Sequence, residues 1–301
     1  MPTDAYRGPV WGVIWMLVTG LCFVAVTALV KFVGDDVPPA QSAFLRYIFG
    51  LVFLIPMIPA LRRAQFTRRS LMLFSARGVA HTLGVILWFY AMTQIPLAEV
   101  TAMNYLNPVY VTVLAALVLG ERLALRRILA IVLALIGAMI ILRPGLRELN
   151  TGHLAMLVTA LAFAVGYLLT KILADETEPA VIVAMLSVTV TIGLTPFALL
   201  DWVWPAREDL FLLAGVAVFA TAGHYTMTLA FRAAPITVTQ PVAFVQLVWA
   251  TLLGLLVFAE PVDAWVIVGG ALIMGAVSYM TWRESVINRR LVTPAVHETK
   301  G

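Results

Sequence analysis

The chain has 301 residues, of which 62% are apolar and 12% charged, with a formal net charge of +4 and one cysteine. Soluble domains carry about 45–50% apolar and about 25% charged residues, which excludes a soluble fold built around a large core. The lone Cys22 excludes an internal disulfide and a cysteine-rich metal site.

A membrane-spanning helix needs about 20 mostly apolar residues. Ten such runs follow one another, at roughly 10–33, 40–60, 71–93, 97–119, 124–142, 152–174, 179–200, 208–230, 236–258 and 264–282. The longest stretch outside them is the 19 residues after Trp282, too short for a separate soluble domain. The expected fold class is an all-α polytopic membrane protein. The first run exceeds the apolar region of a cleaved signal peptide, about 7–15 residues, and no small-residue cleavage site ends it.

Charge placement gives an orientation. With the N-terminus in the cytoplasm, 14 of the 20 Lys and Arg residues fall inside: Arg7, Arg62, Arg63, Arg68, Arg69, Arg122, Arg126, Arg127, Lys171, Arg232, Arg283, Arg289, Arg290 and Lys300. Lys31, Arg143, Arg147 and Arg207 fall outside, while Arg46 and Arg77 lie within runs. Cytoplasmic loops carry the Lys/Arg excess, so both termini are expected in the cytoplasm of a cell with a bacterial-type inner membrane.

The chain repeats itself. Met16-Leu17-Val18-Thr19 matches Met156-Leu157-Val158-Thr159 at an offset of 140, which holds for Lys31 and Lys171, Asp35 and Asp175, Pro39 and Pro179, and Pro56 and Pro196. From Thr82 and Thr221 the offset is 139, through Gly84 and Gly223, Pro96 and Pro235, and Glu121 and Glu260. A duplication divides the chain into 1–150 and 151–301. Five helices per copy, an odd number, make the second copy enter the membrane from the opposite side. Inverted repeats of this kind are typical of alternating-access transporters, with the substrate site near the midplane.

Gly84, Trp88-Phe89-Tyr90-Ala91, Pro96-Leu97-Ala98-Glu99, Asn107-Pro108 and Leu119-Gly120-Glu121-Arg122 resemble the EamA-type repeat of the drug/metabolite transporter superfamily. The second copy, from Ala230 to Pro235 and on to Phe258-Ala259-Glu260-Pro261, is a looser version without the Gly-Glu-Arg form. The resemblance covers about 10–282. It implies ten helices, cytoplasmic termini and transport of small metabolites, often export of amino acids or related compounds. It also implies a central cavity lined by the first, third, fourth, sixth, eighth and ninth helices.

Polar residues in spanning helices face protein or a wet cavity. In the fourth run Thr101, Asn104, Pro108 and Thr112 share one face, with Asn107 beside it. Gln240 and Gln246 of the ninth run are the repeat partners of Thr101 and Asn107. Interhelical hydrogen bonding and cavity lining both account for such faces. His81 and Trp88 in the third run, Tyr167 in the sixth, and His224 and Tyr225 in the eighth complete the substrate-binding candidates. The two histidines are able to titrate near neutral pH or to serve as neutral hydrogen-bonding groups. Arg46 either pairs with Glu99 or snorkels to the surface, as does Arg77 near the other end of its helix. Glu121 and Glu260 suit the starts of the helices that follow them. Pro108 and Pro241 interrupt the backbone ladder and are the candidate gating hinges.

A phosphate loop, a zinc-protease H-E-x-x-H and paired membrane carboxylates are absent from the sequence, as is a midplane acidic residue. No enzymatic activity, cofactor, metal or nucleic-acid partner is expected. The partners are a small-molecule substrate and the lipid bilayer, and the protein is a monomer or weak homodimer. The expected function is transport of small organic metabolites by alternating access, with amino-acid export first and uptake of a vitamin or nucleoside-like metabolite second. Two rivals from other classes are a lipid-modifying enzyme and a non-transporting partner associating through Ala130, Ala134 and Ala138.

Overall fold

The structure is a computed structural model that describes residues 9–119, 124–146, 148–174, 176–234 and 236–292. Helix α1 (Pro9–Val33) leads to α2 (Pro39–Gly50), a 3-10 segment (Leu51–Met57) and α3 (Ile58–Arg63). Then come α4 (Arg68–Gln94), α5 (Leu97–Asn104), α6 (Asn107–Leu119) and α7 (Leu125–Leu142). The second half comprises α8 (Thr151–Ala174), α9 (Pro179–Leu200), α10 (Arg207–Ala233), α11 (Ile236–Ala243), α12 (Val245–Phe258) and α13 (Ala264–Val292). Among the described residues nine helical stretches are long and apolar enough to cross a bilayer, and α12, with α11 leading into it, makes the tenth span. The molecule is an all-α polytopic membrane protein.

Helix packing follows the duplication. The most extensive contacts are α1 on α10 and α4 on α8, which are repeat images of each other. Likewise α2 packs on α10 as α9 packs on α4. The pairs α2 with α9 and α7 with α13 join repeat equivalents directly, so they straddle the pseudo-two-fold axis. On the α7–α13 seam a Cβ at Gly137 would lie 2.7 Å from the Gly269 carbonyl, and one at Gly269 would lie 2.5 Å from the Gly137 carbonyl. Only glycine lets the two backbones approach so closely. Ala130, Ala134 and Ala138 are buried on this same helix. Their small side chains serve packing within the molecule, which removes the basis for an association surface there.

The fourth and ninth spans are each broken, the fourth just before Pro108 and the ninth three residues after Pro241. The first break is at Tyr105–Leu106, between α5 and α6, and the second at Phe244, between α11 and α12. Tyr105 and Phe244 are repeat equivalents. At both sites the ladder tightens to i→i+3 bonds: Tyr105 N–H to the Ala102 carbonyl at 3.2 Å, and Leu247 N–H to the Phe244 carbonyl at 3.0 Å. Pro108 is the second residue of α6, a first-turn position where a missing N–H costs little. Its missing N–H leaves the carbonyl of Asn104, the last residue of α5, without an i+4 donor. The backbone of Pro241 lies within α11, while the side chains of Pro241 and Gln240 lie outside the described residues.

Each break supports the other. The Tyr105 and Phe244 rings meet nearly edge to face, with centroids 6.0 Å apart. The Tyr105 hydroxyl donates to the Ala243 carbonyl at 3.2 Å, satisfying a backbone acceptor next to the break in α11–α12. An unsatisfied carbonyl at that depth would be costly, so the interrupted backbone is placed where protein can bond to it.

Candidate functional site

Helices α1, α4, α8 and α10 carry two aromatic contacts that are repeat images. Gly84 of α4 faces Phe163 of α8, and an added Cβ would sit 2.6 Å from its ring. Gly223 of α10 faces Phe23 of α1 in the same way, with an added Cβ 3.4 Å from that ring and 3.2 Å from the Cys22 Cβ. Each glycine lets a phenylalanine of the other repeat press against a helix backbone. A histidine of the same helix touches each phenylalanine. His81 stacks at a tilt on Phe163, centroids 4.8 Å apart, and His224 meets Phe23 edge-on at 5.2 Å. Trp88 approaches Phe163 at 6.2 Å, and its buried indole Nε1 has no hydrogen-bond partner. Nearer one end of α1, the Thr19 and Thr226 hydroxyls join α1 to α10 at 2.9 Å.

Two arginines complete this centre. The Tyr47 hydroxyl and His81 Nε2 are 3.0 Å apart, and the Arg46 guanidinium lies 4.2 Å over the Tyr47 ring. Arg77 is buried and donates to the Ile182 carbonyl of α9 at 2.9 Å. With a rise of 1.5 Å per residue, Arg46 is about 10 Å from the start of α2 and Arg77 about 14 Å from the start of α4. A charge at mid-span costs about 2.5–3.5 kcal/mol on insertion scales, and the Tyr47 ring and the Ile182 carbonyl offset part of that cost for these two. Arg46 does not pair with Glu99, and Arg77 ends on the Ile182 carbonyl near the start of α9.

The other candidates distribute as follows. Thr101 and Asn107 are buried on α5 and α6, and the buried Oδ1 of Asn104 has no hydrogen-bond partner. Gln246 sits on α12 against Gly20 of α1, where an added Cβ would be 3.4 Å from its own. Tyr167 of α8 is 53% exposed. Tyr225 is 64% exposed and makes none of the contacts that tie the centre together. Among the described residues no three His, Cys, Asp or Glu side chains are grouped to hold a metal ion.

The end of the molecule where α1 finishes is closed by polar contacts between the repeats. Lys31 pairs with Glu260 and also reaches the Ile95 carbonyl at 3.3 Å. Glu260 accepts the Leu97 N–H at 3.0 Å, so it caps α5 and not the helix that follows it. Glu99 is buried and bonds to the equally buried His153, 2.5 Å from Oε2 to Nε2. Asn150 donates to the Gln94 carbonyl at 3.2 Å, and Tyr90 meets Thr151 at 2.7 Å. Sequence reasoning set Glu99 against Arg46 and passed over His153. The imidazole is distant in sequence, and only the packing of α5 on α8 brings it near.

The EamA-like transporter family matches the chain twice, over residues 10–143 and over 150–282. The chain belongs to the EamA-like transporter family. Each match spans five membrane crossings, α1–α7 and α8–α13. A riboflavin transporter of Vibrio cholerae is 28% identical over 94% of this chain and 96% of its own length. An S-adenosylmethionine uptake transporter of Rickettsia prowazekii is 22% identical over 93% and 96%. A pseudopaline exporter of Pseudomonas aeruginosa is 26% identical over 88% and 94%. One solved crystal structure superposes with a TM-score of 0.59 at 18% identity, covering 94% of this chain and 99% of the other, and shows the common fold. These EamA relatives are transporters, and they differ in cargo and direction.

Proposed function

We propose that this protein takes up a heteroaromatic metabolite, of vitamin or nucleoside type, across a bacterial inner membrane by alternating access, with both termini in the cytoplasm. The Lys/Arg excess at the end bearing Arg62, Arg63, Arg68 and Arg69 supports the orientation. One observation carries the mechanism. The Lys31–Glu260 pair closes the outer end, and its repeat images, Lys171 and Glu121, belong to the inner end. Two halves of opposite orientation exchange conformations, so opening the outer end breaks the first pair and brings the second together. Glu121 and the Lys171 side chain lie outside the described residues. On this reading the Lys31–Glu260 and Glu99–His153 contacts tie the outer end shut, which corresponds to an inward-facing form.

The cargo class rests on the wall of Phe23, His81, Trp88, Phe163 and His224, whose rings suit stacking on a planar heteroaromatic group. The riboflavin and S-adenosylmethionine uptake relatives agree with that chemistry, whereas amino-acid export has no counterpart among the relatives named above. A thermal-shift screen of the purified protein against flavins, nucleosides and amino acids tests the reading. Stabilisation by a flavin or nucleoside is expected. Stabilisation by amino acids alone would overturn it.

A further inference from the structure

We propose that an anionic phospholipid seats its headgroup in a cavity of about 220 Å³ between the α3–α4 loop and the start of α9, at the end bearing Arg62, Arg63, Arg68 and Arg69. The orientation proposed above puts this end at the inner leaflet, and binding in detergent is independent of that orientation. The duplication explains how the cavity arises. The Thr67 N–H bonds Ser70 at the start of α4 as the Ala206 N–H bonds Asp209 at the start of α10, so the offset of 139 already holds here. At the opposite end Gln41 of α2 fastens the loop before α10. Its amide donates to the Val203 carbonyl at 2.6 Å and accepts the Val203 N–H at 3.0 Å. The repeat images of Gln41 and Val203 are Val181 and Ala64, and both line the cavity. A valine side chain has no group that bonds a loop backbone, so the link is missing and a gap remains.

The gap has the chemistry of a headgroup site. Phe74 and Val181 are buried and form an apolar floor with Ala60 and Ala64, while the exposed Arg63 and Gln65 carry N–H donors at its edge. Glu176 and Glu178 stand on the α9 side, and Arg69 pairs with Glu176. Arg62, Arg63 and Arg68 are exposed and form no salt bridge among the described residues. These four arginines outnumber the two acids, whereas the equivalent loop at the other end carries Asp201, Arg207, Glu208 and Asp209 and is negative. A topology signal needs only the positive charges. It does not require the apolar cavity beside them.

Pockets for drug-sized molecules measure about 300–1,000 Å³, so this one is small for a metabolite and suits a headgroup. Val52, Ile55 and Ile58, on the span that leads into it, are exposed and give acyl chains an apolar surface to follow. Arginine forks match the phosphate of a lipid at the cytoplasmic side of a helix bundle. A headgroup seated here ties α3 and α4 of the first repeat to α9 of the second, as Gln41 ties α2 to the loop before α10.

Native mass spectrometry of the full chain in detergent, titrated with dioleoyl phosphatidylglycerol or dioleoyl phosphatidylethanolamine, tests this. The two lipids share acyl chains and differ in headgroup charge. The first phosphatidylglycerol is expected to bind about tenfold more tightly or better, since each arginine near an anionic headgroup is worth about fivefold. Arg63→Gln should then lower the preference about fivefold, and Arg207→Gln, in the equivalent loop at the other end, should leave it unchanged. Val181→Gln introduces the side chain found at the repeat-image position, and Ala60→Leu fills the gap with apolar volume. Each should abolish the preference with every arginine in place. Glycerol 3-phosphate at the concentration of the lipid should not displace it. Equal binding of the two lipids, a preference that survives both Val181→Gln and Ala60→Leu, or equal effects of Arg63→Gln and Arg207→Gln would overturn the inference. Displacement by glycerol 3-phosphate would also overturn it, by marking a site for a soluble anion.

Discussion

Replacing Glu260 with glutamine removes the charge that holds Lys31 while leaving an oxygen able to accept the Leu97 N–H. The Lys31 and Glu260 side chains are 19% and 12% exposed, between a solvated pair and a fully buried one. Solvated pairs are worth about 0–1 kcal/mol and breaking a buried pair costs about 3–5 kcal/mol, which puts this one at about 2 kcal/mol. That energy stabilises only the form closed at this end, so its loss shifts the population towards the opposite form by about 30-fold. Ala155 of α8 is buried about 6 Å inside this end by its helix register, and a cysteine there reports opening. In a Cys22→Ala, Ala155→Cys background, labelling by a membrane-impermeant thiol reagent from the outer side is expected to accelerate about 10- to 100-fold with Glu260→Gln. Lys31→Met should have the same effect, and the double variant should add little beyond either single one. Lys171→Met should slow labelling, because it weakens the image pair of the other form. Unchanged labelling in both Glu260→Gln and Lys31→Met at constant expression would refute the latch.

Three further outcomes follow from the same geometry. Gly84→Ala drives a methyl to 2.6 Å from the Phe163 ring and should lower stability by about 1–3 kcal/mol, whereas Gly223→Ala, at 3.2 Å from its nearest neighbour, should be close to neutral; thermal midpoints in detergent decide. Asn107→Leu and Gln246→Leu are each expected to reduce flux with membrane insertion intact, and unchanged flux in both would remove these amides from the transport path. Solute flux should persist when an ionophore collapses the pH gradient, since no carboxylate among the described residues lies at mid-span; strict dependence on the gradient would redirect attention to the buried Glu99–His153 pair.

The ten runs and the offset of 140 to 139 are legible in the sequence because apolar length and periodic matches are local properties. The five-helix copies imply the inversion, and the packing of α1 on α10 with its image α8 on α4 realises it. Helix breaks were harder to place. Proline is the visible signal, yet the interruptions fall at Tyr105 and Phe244, where ring contact and a freed carbonyl support each other across the pseudo-axis. Charge pairing was not legible either. Glu99 and Arg46 are plausible partners by depth alone, but their lateral positions depend on which helices touch, and α5 touches α8. The conserved spacing of Lys31 with Lys171 and of Glu260 with Glu121 was visible as a pattern of repetition. That the lysine of one repeat meets the glutamate of the other emerges only once the copies are packed about the pseudo-two-fold axis.

Counterflow in proteoliposomes tests the transport account most directly. Vesicles holding the purified protein are loaded with unlabelled riboflavin, diluted into labelled riboflavin at trace concentration, and followed without any imposed ion gradient. An alternating-access carrier that accepts this ring system transiently concentrates the label inside. Label that merely equilibrates, at the rate seen in protein-free vesicles, would contradict the account.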